Sequence, residues 1–266
     1  MSIKIDHRVI EYHKEYFLFE EPERYGLKIL MSSSDSFGPQ MSQEEKISQL
    51  NDIYEFLGIE KSNVYAGYQV HGAEIADVGT APSDDGLFFA HEFDKTDGLI
   101  TTTVGTCLLT KFADCTPIVL LDDEKRVLAS LHSGWRGTQQ KILKKAIEKM
   151  KADHGTDPQD LIVFVGPSIK QQDFEVGEDL IELFEQSHGD ISKYLISKEN
   201  GRSLFDMTSL IEDDLLKEGV KESNIFVSTL STYTDPKLHS YRRDGSRSGR
   251  MYLFAMMTRS SDKMST

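Results

Sequence analysis

The chain has 266 residues, 38 % of them hydrophobic and 28 % charged, a globular balance that excludes a fibrous or intrinsically disordered protein. Its 30 basic and 44 acidic residues give a net charge of −14, which argues against nucleic acid or an anionic membrane as a partner of the whole surface. Two cysteines, Cys107 and Cys115, are too few for a disulfide framework, and no apolar run approaches membrane-spanning length. Residues 1–16 lack the basic and then apolar segments of a signal peptide, so a reduced, cytoplasmic protein is expected.

No repeat, low-complexity tract or linker divides the chain, and one catalytic domain over residues 1–266 is expected. In chain order, the first thirty residues read as irregular structure with short strands, residues 27–31 being the clearest. Ile47, Leu50, Ile53, Tyr54 and Leu57 recur at helical spacing and predict a helix over 43–57, with Ser42 and Glu45 as a capping box and Gly58 as the stop. Residues 63–70 read as a strand ending at His71-Gly72, and Asp97-Gly98 as a turn.

Residues 104–111, 117–121 and 126–132 read as strands joined by short bends. Residues 133–138 form a Gly-punctuated loop, followed by a helix over 138–153 with Ile142, Leu143, Ala146, Ile147 and Met150 on one face. Residues 161–165 are a continuous apolar run typical of a buried strand. Helices near 177–187 and 208–218, a strand over 225–230 and a strand over 251–257 complete the pattern. Interleaved strands and helices, with some strands joined by tight turns, predict a layered α/β domain of α+β type with mixed sheets.

Three side chains sit where predicted strands end and loops begin: His71, Cys115 and His132. Two imidazoles and a thiolate suit zinc in preference to copper, and leave a fourth position open for water or substrate. Each residue alone has a plainer reading, a hydrogen-bonded histidine or a small buried thiol. Beyond His132, Gly134-Trp135-Arg136-Gly137-Thr138 leads into a helix, where Arg136 can meet an anion and Trp135 can stack on a flat ligand. Lys237, Arg242, Arg243, Arg247 and Arg250 face Asp244 alone within 237–250, a second local anion site or else a solvated loop.

The motifs Gln69-Val70-His71-Gly72, Asp97-Gly98-Leu99-Ile100-Thr101, Ala113-Asp114-Cys115-Thr116-Pro117, His132-Ser133-Gly134-Trp135-Arg136-Gly137 and Tyr241-Arg242-Arg243-Asp244-Gly245 occur in this order. With Gly166-Pro167, Phe174-Glu175-Val176-Gly177 and Ser248-Gly249-Arg250, they resemble the multicopper-polyphenol-oxidase-like, laccase-domain family of zinc-dependent purine nucleoside phosphorylases. The resemblance runs over about residues 60–257. It implies zinc on His71, Cys115 and His132, and phosphorolysis of inosine or adenosine to the free base and ribose 1-phosphate, with adenosine deamination as a second activity. The substrates would be a purine nucleoside and phosphate, with Arg136, Arg242 and Arg243 as phosphate or substrate contacts and Asp114 and Glu175 as candidates for proton transfer.

Departures from the family pattern are few. Residues 31–39 carry no arginine followed by paired glycines, which removes one expected basic contact, and Ser168 and Ser231 stand where cysteines are common. Cys107 has no counterpart in the motifs and reads as core. Eight histidines with no His-x-His pair cannot feed a trinuclear copper cluster, so laccase chemistry is not expected. Two other readings stay open: a Cys–His amide hydrolase of cell-wall precursors built on Cys115 and His132, and a non-enzymatic module that binds a phosphorylated ligand through the arginine segment.

Overall fold

The computed structural model describes residues 2–258 apart from residues 13, 80–83 and 88–89. The helix Gln43–Leu57 forms as the sequence predicts. The Ser42 hydroxyl accepts from the Glu45 N–H at 3.2 Å, the Glu45 carboxylate accepts from the Ser42 N–H at 2.7 Å, and Gly58 ends the helix with φ +68°. Its apolar stripe, Leu50, Ile53, Tyr54 and Leu57, is buried against Tyr16, Leu18, Leu30, Leu109 and Phe254.

Those partners lie on one face of an eight-stranded sheet. Its order is Arg8–Tyr12, Lys14–Phe19, Leu27–Ser32, Met251–Met257, Cys107–Phe112, Val64–Gly67, Ala90–Phe93 and Asp84–Leu87. A seven-stranded sheet follows the order Ile3–Ile5, Ile225–Ser228, Leu161–Val165, Thr116–Asp122, Val127–Ser133, Gly98–Thr101 and Ile75–Asp77. Both mix parallel and antiparallel pairs, as expected from the sequence. A small third sheet joins Glu175–Val176, Ser203–Phe205 and Leu195–Ser197.

The two large sheets pack face to face. Phe17, Phe19, Ile29, Leu253 and Ala255 of one meet Val119, Leu121, Leu128, Phe164 and Phe226 of the other in a common core. The alternate residues of the seven-stranded sheet, Ile118, Leu120, Ala129, Val163 and Val165, face the helices Ile142–His154, Glu178–His188 and Met207–Lys217. The result is helix, sheet, sheet, helices. Because both faces of the central strands are covered, Leu161–Val165 and Met251–Met257 are buried throughout, and this is why they read as unbroken apolar runs.

Several expected boundaries move. The strand expected over 63–70 stops at Gly67, where a Cβ would run into the Thr96 carbonyl, and the chain then leaves the sheet toward His71. Gly98 opens the strand Gly98–Thr101 instead of closing a turn. The expected helix over 138–153 is two helices, Trp135–Gln139 and Ile142–His154, broken by Lys141 in the left-handed region at φ +61°. Part of the expected loop over 133–138 is therefore a helical turn. The arginine segment contains a helical turn, Tyr241–Asp244, followed by a 3-10 turn, Gly245–Arg247. Among the described residues, no helix is long and apolar enough to cross a membrane.

Candidate metal centre

The centre lies where the chain passes from one large sheet to the other. Cys107–Phe112 belongs to the eight-stranded sheet and Thr116–Asp122 to the seven-stranded sheet, so Ala113-Asp114-Cys115 is the crossover. Asp114 makes the bend in the left-handed region, φ +77°. Thr116 pairs with Ser133 and Pro117 with His132, and extending this register by one residue sets Cys115 opposite Gly134. A Cβ on residue 134 would stand 2.9 Å from Cys115 Sγ and 3.3 Å from His71 Cδ2, so only glycine leaves room for the thiol and ring.

The ligand atoms of His71, Cys115 and His132 lie within 4.8 Å of one another. The two imidazole rings are 4.9 Å apart and nearly perpendicular, so their nitrogens converge without stacking. His132 is buried, Cys115 half-buried and His71 exposed, so the group opens on the His71 side. His71 itself is held at φ +62°, a conformation unusual for a side chain of its size.

Asp97, whose side chain is fully buried, lies behind the group. Its carboxylate accepts from the N–H groups of Val70, His71 and Gly72 and lies 2.8 Å from His132 Nδ1. Burial opposes its charge, but the His132 ring and the Gly72 and Val70 N–H groups prevail and hold the carboxyl below its ordinary range. Burial likewise pushes the Cys115 thiol up, but the His132 ring and hydrogen bonds from both histidines reverse this and draw it down. Burial disfavours a charged His132, yet the Cys115 sulfur and Asp97 raise its pKa above the usual histidine value. A thiolate and two imidazoles converging on one point, the buried ring oriented by a carboxylate, fit a divalent metal ion.

The group opens into a cleft of about 700 Å³. Tyr68 and Tyr241, each 56 % exposed, line it together with Trp135 and Phe174, so flat apolar surfaces face the centre. Arg136, Arg242, Arg250 and Lys111 supply positive charge. The Arg136 guanidinium lies 4.1 Å from the Trp135 ring centre. Arg242 lies over Phe174 and donates to the backbone carbonyls of Asp173 and Glu175.

The structure thus brings His71, Cys115, His132, Asp114, Arg136 and Arg242 to one cleft. The other two candidates are placed elsewhere. Arg243 donates to the carbonyls of Thr232, Tyr233, Asp235 and Leu238 and pairs with Asp244, so its guanidinium ties down the loop. Glu175 is not among the cleft residues; its carboxylate pairs with Lys198 and with Arg202, the latter at 2.8 Å. Asp114 accepts from the Thr232 hydroxyl at 2.7 Å and the Arg242 N–H at 2.6 Å. Sequence reasoning missed Lys111 and the exposed tyrosines as cleft residues, named Arg250 only within the arginine segment, and took Asp97 for a turn residue. Arg250 and Asp97 both sit inside motifs that were legible; Lys111 carried no signal.

Comparison with known proteins agrees with this architecture. The chain is 34 % identical over 157 residues to a purine nucleoside phosphorylase of Bacteroides thetaiotaomicron, covering 58 % of each chain. It is 35 % identical over 158 residues to a purine nucleoside phosphorylase of Clostridium acetobutylicum, covering 59 % of this chain and 65 % of that protein. These matches span less than two thirds of either relative's length. Adenosine deaminase RL5, from an unknown prokaryotic organism, is 30 % identical over 205 residues, covering 74 % of this chain and 76 % of its own. In fold, the chain is similar to the YlmD protein of Geobacillus stearothermophilus, with a TM-score of 0.84, 23 % identity, and coverage of 96 % of this chain and 100 % of that one. Residues 40–258, which include all three ligand candidates and Asp97, match the family described as multi-copper polyphenol oxidoreductase laccase, and the chain belongs to that family.

Proposed function

We propose that the protein is a zinc-dependent purine nucleoside phosphorylase that cleaves inosine or adenosine with phosphate, and that the same cleft deaminates adenosine. The observation that carries this reading is the convergence of His71, Cys115 and His132 at the floor of a cleft with aromatic walls and arginines at its side. The relatives named purine nucleoside phosphorylase and adenosine deaminase support it. A single zinc ion is favoured over a multicopper cluster because, among the described residues, no second group of three such ligands converges to complete one. Dependence on a reduced thiolate fits a cytoplasmic location, and a site drawn from both large sheets fits one catalytic domain.

Bound at this centre, zinc supplies a Lewis acid at the cleft floor. The chain's own residues do the rest. Trp135, Phe174 and the exposed tyrosines offer faces against which a purine can lie. The Arg136 guanidinium, which rests on the Trp135 ring and makes no hydrogen bond or ion pair among the described residues, is assigned to phosphate. One phosphate oxygen bonds to the anomeric carbon as the glycosidic bond breaks, and the electron pair leaves with the purine, which takes up a proton that the incoming dihydrogen phosphate gives up by way of a cleft carboxylate. Asp114 is the cleft carboxylate assigned to that proton; Glu175 points to Lys198 and Arg202 instead.

A second reading has one observation in its favour. Cys115, His132 and Asp97 form a thiol–imidazole–carboxylate series of the kind a Cys–His hydrolase uses. His71 weighs against it, because a third donor aimed at the same sulfur has no task in such a triad. Zinc-loaded protein incubated with inosine or adenosine, with and without phosphate, separates the two. Base release that requires phosphate supports the phosphorylase. Release without phosphate, or rapid alkylation of Cys115 in protein holding no stoichiometric zinc, supports a hydrolase.

A further inference from the structure

We propose that Asp97 is the positioning residue of the metal centre: one buried carboxylate holds both histidines, and through them sets the affinity for the ion. The inference rests on the zinc reading above and concerns a residue that is itself no ligand. A fully buried carboxylate must find partners, and every side-chain partner of Asp97 belongs to a ligand-bearing segment. Three successive N–H groups, those of Val70, His71 and Gly72, point at it from 3.1, 3.0 and 2.8 Å.

This is a backbone cradle for an anion, and it exists only because His71 takes its left-handed conformation, φ +62°. Removing the negative charge removes the reason for that backbone. The exposed His71 ring would then keep only its edge contact with the His132 ring and its approach to Cys115.

The fourth partner fixes His132. Its Nδ1 lies 2.8 Å from the carboxylate, so this nitrogen carries the proton and Nε2 keeps the lone pair that faces Cys115. The Asp97 backbone carbonyl also accepts from the His132 N–H at 2.7 Å, which sets the height of the ring along its strand. Ring orientation and tautomer are therefore chosen from the same residue that shapes the His71 loop. Among the described residues, no other side chain contacts both ligand segments by hydrogen bonds to this extent.

The test compares wild type with Asp97→Asn, a change of charge at constant size. Zinc affinity is measured by competition with a chromophoric chelator, on protein shown to be folded by circular dichroism. We expect affinity weaker by about 10- to 100-fold in the variant, the range seen when an outer partner of a metal-bound histidine is lost. Cobalt-substituted protein should show altered thiolate-to-cobalt and d–d bands, which a loss of fold stability alone would not produce. Equal zinc affinity and identical cobalt spectra overturn the role of Asp97 while leaving the metal centre intact. Failure of wild type to take up zinc overturns both. Should the variant not fold, long-range proton–nitrogen correlations on zinc-loaded wild type decide: a protonated Nδ1 and a metal-bound Nε2 on His132 are expected, and metal on Nδ1 overturns the proposal.

Discussion

The carboxylate of Asp114 accepts a hydrogen bond at 2.6 Å from the backbone N–H of Arg242, which lies 128 residues further along the chain. The bond joins the crossover that carries Cys115 to the helical turn that carries the arginines, and the Thr232 hydroxyl at 2.7 Å fastens the intervening loop to the same side chain. Asp114 therefore shapes the cleft as well as lining it. Asp114→Ala should lower kcat/KM by at least about 10-fold and lower stability by roughly 1–3 kcal/mol, since it strands two donors. Steady-state kinetics and thermal unfolding measure the two effects separately. An unchanged kcat/KM would contradict both its assigned proton transfer and its hold on Arg242.

Gly134 leaves space for the sulfur, since a Cβ there would lie 2.9 Å from Cys115 Sγ. Gly134→Ala should leave the fold standing and reduce bound zinc, with affinity weaker by about 10-fold or more. Metal content after dialysis against a weak chelator checks this. Full retention of zinc would show that the thiol can move aside without consequence.

The two arginines assigned different tasks should separate in two assays. Arg136 is exposed and its guanidinium rests on Trp135, so Arg136→Ala should raise the KM for phosphate while shifting stability by no more than about 0.5 kcal/mol. Arg243 serves four backbone carbonyls, so Arg243→Ala should cost about 2–3 kcal/mol of stability. Unfolding midpoints and phosphate titrations of both variants, run side by side, test the pair. A stable Arg243→Ala protein with a phosphate defect would reverse the assignment.

Lys170 gives a stability effect with a defined sign. Burial, with Lys4 adding repulsion and Asp206 and Glu212 opposing, pulls its pKa down from 10.5 to about 8, and among the described residues its ammonium donates to the Ser228 carbonyl alone, at 3.0 Å. Between these values the unfolded chain holds more protons than the folded one, so this residue's contribution to stability rises with pH from about 8 to 10.5 and is at its lowest below 8. Lys170→Met should therefore be more stable than wild type at pH 7, by roughly 1–3 kcal/mol, with the difference shrinking as pH rises. Denaturant unfolding at pH 7 and pH 9.5 reads the trend. A difference that grows with pH would show that Lys170 is not a buried charge under strain.

The helix Gln43–Leu57 was legible to the residue because its determinants are local: a capping box at Ser42 and Glu45, a stripe at helical spacing and a glycine stop. The strands Leu161–Val165 and Met251–Met257 were equally plain, since burial on both faces writes an unbroken apolar run into the chain. His71, Cys115 and His132 stood out by residue type at strand ends and by the motifs around them, and the structure sets their ligand atoms together. The break at Lys141 was invisible, because a left-handed lysine carries no glycine to announce it. So was the division of labour among the polar side chains. Asp97, Glu175, Arg242 and Arg243 all have the chemistry of functional residues, but a carboxylate or guanidinium acts on whatever lies within about 3 Å. For Asp97 that is the His71 backbone and the His132 ring, and for Arg243 a set of loop carbonyls. The sequence determined which groups could do chemistry; the packing of two sheets, which brings distant segments within hydrogen-bond reach, decided which of them face the cleft and which hold it in shape.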